Sequence, residues 1–202
     1  MMDNSVIPTI LVSRLARKQV TVALSSDAGD EIFAGYTTYD HLLKFDKRFG
    51  HLPVFVRKQL AATMRAFPVS KLPGMHQRNI DRYHKMAALL ESGNLVQANE
   101  NINALMNRSL LSRLLKGTQA PLPAPGIAGI KGLNALLAHD YLNYMCDDVL
   151  VKVDRAGMST SLEGREPFLD HRIVEFAAQL PDNLKYRNGI KKYILRELTH
   201  DL

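Results

Sequence analysis

The chain is 202 residues long, 46% hydrophobic and 23% charged, with a formal net charge of +6. That balance belongs to a globular protein and excludes a disordered or fibrous one. No apolar run reaches the length of a membrane-crossing helix, and Met1-Met2-Asp3-Asn4 lacks the basic start and apolar stretch of a signal peptide, so the default compartment is cytoplasmic. Cys146, the only cysteine, rules out an internal disulfide and disfavours a cysteine-built metal site. The basic surplus, with a pI near 9.5, raises the question of an anionic partner. Its densest group, Arg14-Leu15-Ala16-Arg17-Lys18, lies in an amphipathic stretch without interleaved aromatics, which reads as a solvated helix face rather than a nucleic-acid interface. A nucleotide would suit the surplus equally well.

In chain order, Ser5 can cap a helix over 6–18, in which Ile7, Ile10, Leu11 and Leu15 recur at helical spacing. Val20-Thr21-Val22-Ala23-Leu24 then reads as a strand buried on both faces of a parallel sheet. The acidic turn Ser25-Ser26-Asp27-Ala28-Gly29-Asp30-Glu31 follows, and Ile32, Phe33 and Tyr36 reopen a helical spacing. Helices are expected over 52–66, 78–91, 95–106 and 108–116, and the Pro-containing stretch 117–129 reads as a connector. Further helices are expected over 131–145, 147–157, 171–180 and 190–199, with no second convincing strand. One buried strand is not a sheet, so the expectation is a mostly α chain with a remnant α/β layer, whose missing strands lie before residue 1.

Three segments carry candidate chemistry. The acidic turn sits where open α/β sheets bind ligands, and Asp27 and Asp30 offer hard oxygen ligands suited to Mg²⁺. Beside that stands a structural reading, in which Asp27, Asp30 and Glu31 favour the positive end of the following helix. Lys152, Asp154 and Arg155 could hold a polar substrate or form intramolecular ion pairs, and Arg165 and Asp170 would fit a buried turn around Pro167-Phe168-Leu169. Gly189-Ile190-Lys191-Lys192 reads as a basic helix start after a glycine, suited to an anionic ligand or to plain surface exposure.

Taken together these segments resemble the synthetase domain of glutamine-hydrolysing, class B asparagine synthetases. The family's Ser-Gly-Asp/Glu-Gly-x-Asp-Glu-x-Phe-x-Gly-Tyr pattern is matched by residues 25–36, with Ser26, Ala28 and Ala34 standing where glycines are usual. Val149 to Ala156, Arg165 to Arg172, and Lys192 to Glu197 resemble later signatures, in the family's order. The resemblance implies part of an ATP pyrophosphatase-type (adenine nucleotide alpha hydrolase-like) domain that adenylates aspartate or a related carboxylate and lets ammonia displace AMP. It implies Ser25, Ser26 and Gly29 beside the nucleotide, Asp30 binding Mg²⁺, Asp27 as the acidic residue that deprotonates ammonia, Lys192 stabilising phosphate charge, and Arg165 close to the site. The family's pyrophosphate loop, Ser-Gly-Gly-x-Asp-Ser, is not in the chain, nor is its glutaminase domain with an amino-terminal cysteine. Residues 1–202 therefore read as a partial domain: 1–44 with the strand and acidic loop, 45–116 helical, 117–130 a linker, and 131–202 the helical signature region. The expected consequences are inactivity alone and a homodimer through the unpaired strand edge. The alternative is a truncated, catalytically silent helical module that binds a protein or nucleotide.

Overall fold

A computed structural model describes residues 5–67, 69, 76–104, 114 and 129–200. They fall into two compact units, one formed by Met1–Thr37 with Ala124–Leu202 and the other by Thr38–Pro123.

In the first unit, α1 (Val6–Arg17) leads into β1 (Val22–Leu24). Ser5 precedes α1 without a side-chain cap bond; its Oγ instead accepts from Lys152 Nζ at 2.8 Å. A continuous helical stretch follows later in the chain: α7 (Gly132–Asp140), a π-helical segment (Tyr141–Val149) and α8 (Leu150–Met158). Two helices separated near residue 146 were expected; the wider π turns carry the backbone through without a break. The stretch ends in a Schellman arrangement, with Ser161 left-handed at φ 59°, its N–H donating to Met158 O and that of Leu162 to Gly157 O.

That reversal returns the chain to β2 (Glu163–Arg165), which pairs parallel with β1 in the register Val22 with Glu163 and Leu24 with Arg165. A second strand is thus present where none was expected, because Glu163-Gly164-Arg165 has no apolar pattern and is recruited by the ladder alone. Nor is β1 buried on both faces: Val22 is 39% and Leu24 75% exposed. A parallel strand is buried only where layers cover both faces, and among the described residues β2 is its one ladder partner.

A short helix α2 (Gly29–Ile32) follows the acidic turn. Beyond the 3₁₀ turn Pro167–Leu169 come α9 (His171–Gln179), α10 (Asp182–Lys185), the two-residue strands β3 (Tyr186–Arg187) and β4 (Ile190–Lys191), and α11 (Tyr193–His200). The helix expected from residue 190 starts later because Asn188 and Gly189, at φ 51° and 87°, make the tight turn of an antiparallel hairpin. Asn-Gly between two short strands is the turn such hairpins favour. Ile32, Phe33, Ala177 and Leu180 form a buried cluster, with Phe168, Ile173, Ile194 and Leu195 packed against it. Phe33 and Phe168 meet edge to face, with ring centroids 5.8 Å apart. Nearby, Lys185 is buried with Nζ donating to Asn134 Oδ1 at 2.7 Å, and burial holds its pKa below the ordinary lysine value.

The second unit is helical among its described residues: α3 (Thr37–Phe49, entering from the first unit), α4 (Val54–Ala66), α5 (Gln77–Glu91) and α6 (Leu95–Asn103). α4 packs along α5, with Tyr83 Oη donating to Met64 O at 2.8 Å and Arg65 paired with Glu91 at 2.6 Å. Asn94 caps α6 by accepting from Gln97 N–H. The helix expected over 108–116 and the connector over 117–129 lie, but for residues 114 and 129, outside the described residues.

Because Phe33 is 4% exposed at the centre of its cluster, Phe33→Ala is expected to cost about 3–5 kcal/mol. Urea unfolding followed by far-UV circular dichroism would measure it; a cost below about 1 kcal/mol would contradict the packing described.

Candidate nucleotide site

The acidic turn is shaped by backbone before side chains. Ser25 N–H donates to Arg165 O at 2.9 Å, extending the parallel ladder by one residue. The chain then turns: Ser25 Oγ donates to Asp27 Oδ2 at 2.5 Å, and Asp27 N–H returns to Ser25 Oγ at 3.3 Å. Ala28 takes φ 75° and Ala34 φ 59°, both in the left-handed region that suits glycine. Ser26 does not share that conformation, so its side chain carries no such strain.

Past the turn, Asp30 on α2 meets Lys192, the residue between β4 and α11, with Lys192 Nζ 2.9 Å from Asp30 Oδ1. Lys192 is itself left-handed at φ 53°, and its N–H donates to Phe33 O at 3.2 Å. A β-carbon on Gly35 would overlap the Asp30 carboxylate and crowd Lys192 Cε. Buried Gly29 is less confined: a methyl there would make ordinary contacts, 3.4 Å from the Phe168 ring and 3.6 Å from Lys192 Nζ.

A cleft of about 960 Å³ opens on the other side of the turn, its walls drawn from α1, the end of β1, α8 and residues 162–169. Ser25, Ser26 and Asp27 line it, as do Lys152, Asp154 and Glu166. Glu166 is held above the ordinary carboxylate pKa by burial first, then by Asp27, with Asp154 adding a smaller push. Asp30, Gly29 and Lys192 are not among the lining residues. Neither is Arg165, whose side chain is exposed and pairs with Glu163 at 2.8 Å. The buried turn expected from Arg165 and Asp170 does not form: Asp170 caps α9 and binds Arg172 through both carboxylate oxygens. Two residues apart in sequence, Asp170 and Arg172 reach each other before Arg165 can compete.

Behind the turn lies Glu31, read from the sequence only as a charge favouring the positive end of α2. Glu31 is almost fully buried and accepts from Tyr36 Oη at 2.5 Å. Burial raises its pKa above the ordinary value, the Tyr36 bond opposes the rise, and Asp30 and Asp140 add to it. Burial and the same carboxyl push the Tyr36 phenol far upward. Glu31 follows Asp30 directly, but only its position on the inward face of α2 separates it from its exposed-looking neighbour.

The sequence matches the asparagine synthase family over residues 1–202. The chain belongs to that family. It is similar to asparagine synthetase [glutamine-hydrolyzing] 1 of Bacillus subtilis, at 30% identity over 210 residues that cover 99% of this chain and 31% of that protein. It is also similar to a putative asparagine synthetase [glutamine-hydrolyzing] of Mycobacterium bovis, at 32% identity over 96% of this chain and 29% of the relative. A third relative, putative asparagine synthetase [glutamine-hydrolyzing] 2 of Methanocaldococcus jannaschii, is 36% identical over 78% of this chain and 30% of its own length. The chain therefore spans about three-tenths of the curated relatives it matches. No solved structure matches it significantly.

Among the described residues no group of three or more His, Cys, Asp or Glu side chains could hold a metal ion, and no helix is long and apolar enough to cross a membrane. Asp30 by itself offers Mg²⁺ one hard oxygen donor. That fits an ion held through one or two carboxylates plus substrate phosphates better than a protein cage.

The Glu31 carboxyl binds its proton more tightly in the folded chain than in the unfolded one. Stability is therefore expected to fall as pH rises from about 4.5, where the carboxyl titrates in the unfolded chain, through the raised folded value, and to level off above it. Glu31→Gln keeps an acceptor for Tyr36 Oη and removes the charge. Its melting temperature should gain on that of the parent across this rise in pH; parallel melting curves for the two from pH 4 to pH 8 would show that the slope has another source.

Proposed function

We propose that this chain carries the acidic-turn portion of the ATP site in an amide-forming synthetase and is inactive without the remainder of the enzyme. The observation that carries the reading is the meeting of Asp30 and Lys192, far apart in sequence, at 2.9 Å, one turn of chain from Ser25 and Asp27 at the cleft. The family supports an ATP pyrophosphatase-type α/β domain for the whole, and the coverage of about three-tenths supports incompleteness.

In this reading the carboxylate of aspartate, or of a related acid, attacks the α-phosphate of ATP and releases pyrophosphate. Ammonia from a separate glutaminase domain then attacks the acyl carbon and displaces AMP. Ser25 and Ser26 hold the nucleotide at the end of β1, with Gly29 leaving room for its close approach. Lys192, once it releases Asp30, neutralises charge building on phosphate oxygens. Asp27, already an acceptor toward Ser25 Oγ, takes the proton lost by the attacking ammonia, a role worth roughly 10²–10⁴-fold in rate. Asp30 holds Mg²⁺, which when bound supplies further neutralisation of the phosphates. Arg165 contributes from the rim, and only on releasing Glu163.

Isothermal titration of the full chain with AMP and with Mg-ATP tests this. Micromolar Mg-ATP binding is expected, weakened about tenfold or more in Ser25→Ala and in Asp30→Ala, as for the loss of hydrogen bonds involving charged groups. Absence of any nucleotide binding would favour the silent helical module instead.

The exposed surface supports a further part of the reading. Ile7, Leu11 and Leu15 project from α1 at more than half exposure, Leu24 of β1 is exposed as well, and β1 lacks a second ladder partner among the described residues. Such an edge recruits another chain, and here the occupant is a second copy. Size-exclusion chromatography is expected to show a dimer or larger species that Leu11→Glu with Leu15→Glu shifts toward monomer. A parent chain that elutes as a clean monomer, with slow amide exchange at residues 22–24, would count against it.

A further inference from the structure

We infer that the second unit, Thr38–Pro123, docks on an anionic lipid bilayer, with α4 lying in the headgroup region. Charge divides unevenly along the chain. Thr38–Pro123 holds thirteen Lys and Arg residues and only five Asp and Glu, whereas the first unit holds thirteen against fifteen. The formal surplus of +6 therefore comes wholly from the helical unit. Within it, residues 47–80 include seven basic residues and no acidic one. Charge so segregated suits an anionic partner that meets this unit and not the other.

Apolar side chains stand among those cations. α4 buries Arg57 and Ala61 and packs along α5. Its outward side is left to solvent: Phe55 is 70%, Phe67 54% and Leu60 42% exposed, and exposed Gln59, Ala62, Thr63 and Ala66 complete a surface without a charge. Exposed Lys58 borders it. On α5, Arg78, Arg82 and Lys85 recur at i, i+4 and i+7, which puts them on one helix face, and all three are exposed. Arg65 is taken up by Glu91, but Lys58, Arg78, Arg82 and Lys85 pair with no carboxylate among the described residues. An exposed apolar helix face bordered by unpaired cations is the pattern of a helix that lies in a membrane interface, its apolar side chains toward the acyl chains and its cations among the phosphates. With thirteen residues α4 is too short to cross a bilayer, so it lies on one. A single-stranded nucleic acid could stack on Phe55 and Phe67 but offers nothing to Val56 and Leu60, which are also exposed. The outward side of one helix is convex, so it fits a lipid surface better than a partner helix that needs a groove.

Vesicles of equimolar phosphatidylglycerol and phosphatidylcholine, floated on a density gradient with the full chain, test this, because aggregated protein sinks and is not counted. The parent is expected to float with these vesicles and not with phosphatidylcholine alone, and to be released as salt screens the charges. The chain contains no tryptophan, so Phe55→Trp supplies a single fluorophore on the apolar face, and its emission is expected to shift to the blue on the anionic vesicles. Arg78→Gln with Arg82→Gln should weaken partitioning about fivefold for each cation removed, and Phe55→Ser about tenfold. All these positions are exposed, so melting temperatures close to that of the parent are expected and show that each variant is folded. A parent chain that stays off the anionic vesicles, or flotation that Phe55→Ser leaves unchanged, overturns the inference. A chain that ignores the vesicles but binds polyuridylate assigns the same cations to nucleic acid, and the lipid surface is then excluded.

Discussion

The site depends on one piece of packing, the burial of Ile32 and Phe33 against Ala177 and Leu180. That contact fixes α2, a helix of only four residues, which has too few internal hydrogen bonds to be stable by itself. It also brings the α10–β3–β4–α11 segment up to the acidic turn, through Leu184, Ile194 and Leu195 on the same cluster. Asp30 and Lys192 are separated by most of the chain, and neither has a local reason to be near the other. Their meeting follows from apolar side chains two or three residues away on each element. A partly exposed ion pair contributes on the order of 0.2–1 kcal/mol, so the charges report the packing and do not cause it.

The backbone pays for this arrangement in the left-handed residues. Ala28, Ala34 and Lys192 all have positive φ, each at a cost on the order of 1 kcal/mol relative to glycine. Ala28 and Ala34 are also among the most buried residues in the chain, and each methyl recovers roughly 0.8 kcal/mol by leaving water. The two effects nearly cancel, which explains how alanine can occupy positions where the family pattern has glycine. What is lost is room: a glycine there would let a ligand approach the backbone more closely, so these methyl groups bear on the fit of the site more than on the stability of the fold.

Much of the fold was legible because its signals are local. The helices at 6–17, 54–66 and 77–91 follow from apolar periodicity, and the acidic turn follows from small residues at the end of an apolar run. Elements set by distant partners were not legible. Glu163-Gly164-Arg165 has no strand character and becomes a strand only beside Val22 to Leu24. That run in turn reads as doubly buried because its composition records what it could bury, while the described layers leave Leu24 three-quarters exposed. Asn188-Gly189 was a legible signal of a different kind: read as a hairpin turn, it would have moved the start of the last helix past Lys192. For the site, residue identity located the turn, but only coordinates separate Ser25, Ser26 and Asp27 at the cleft from Asp30 and Lys192 behind it, and turn Arg165 toward Glu163.

Net charge proves a poor guide to the cleft. The chain carries a formal +6, yet the charged residues lining the cleft are Asp27, Asp154, Glu163 and Glu166 against the single cation Lys152. The raised pKa of Glu166, caused by burial and then by Asp27 and Asp154, is the local sign of that crowding. A polyanion entering such a space meets repulsion unless it brings cations with it, whatever the average charge of the surface outside. At Asp30 and Lys192, by contrast, opposite charges already balance. Basic residues lie instead on solvated faces such as Arg14, Arg17 and Lys18 of the α1 end, where they act at longer range on approach and not on fit.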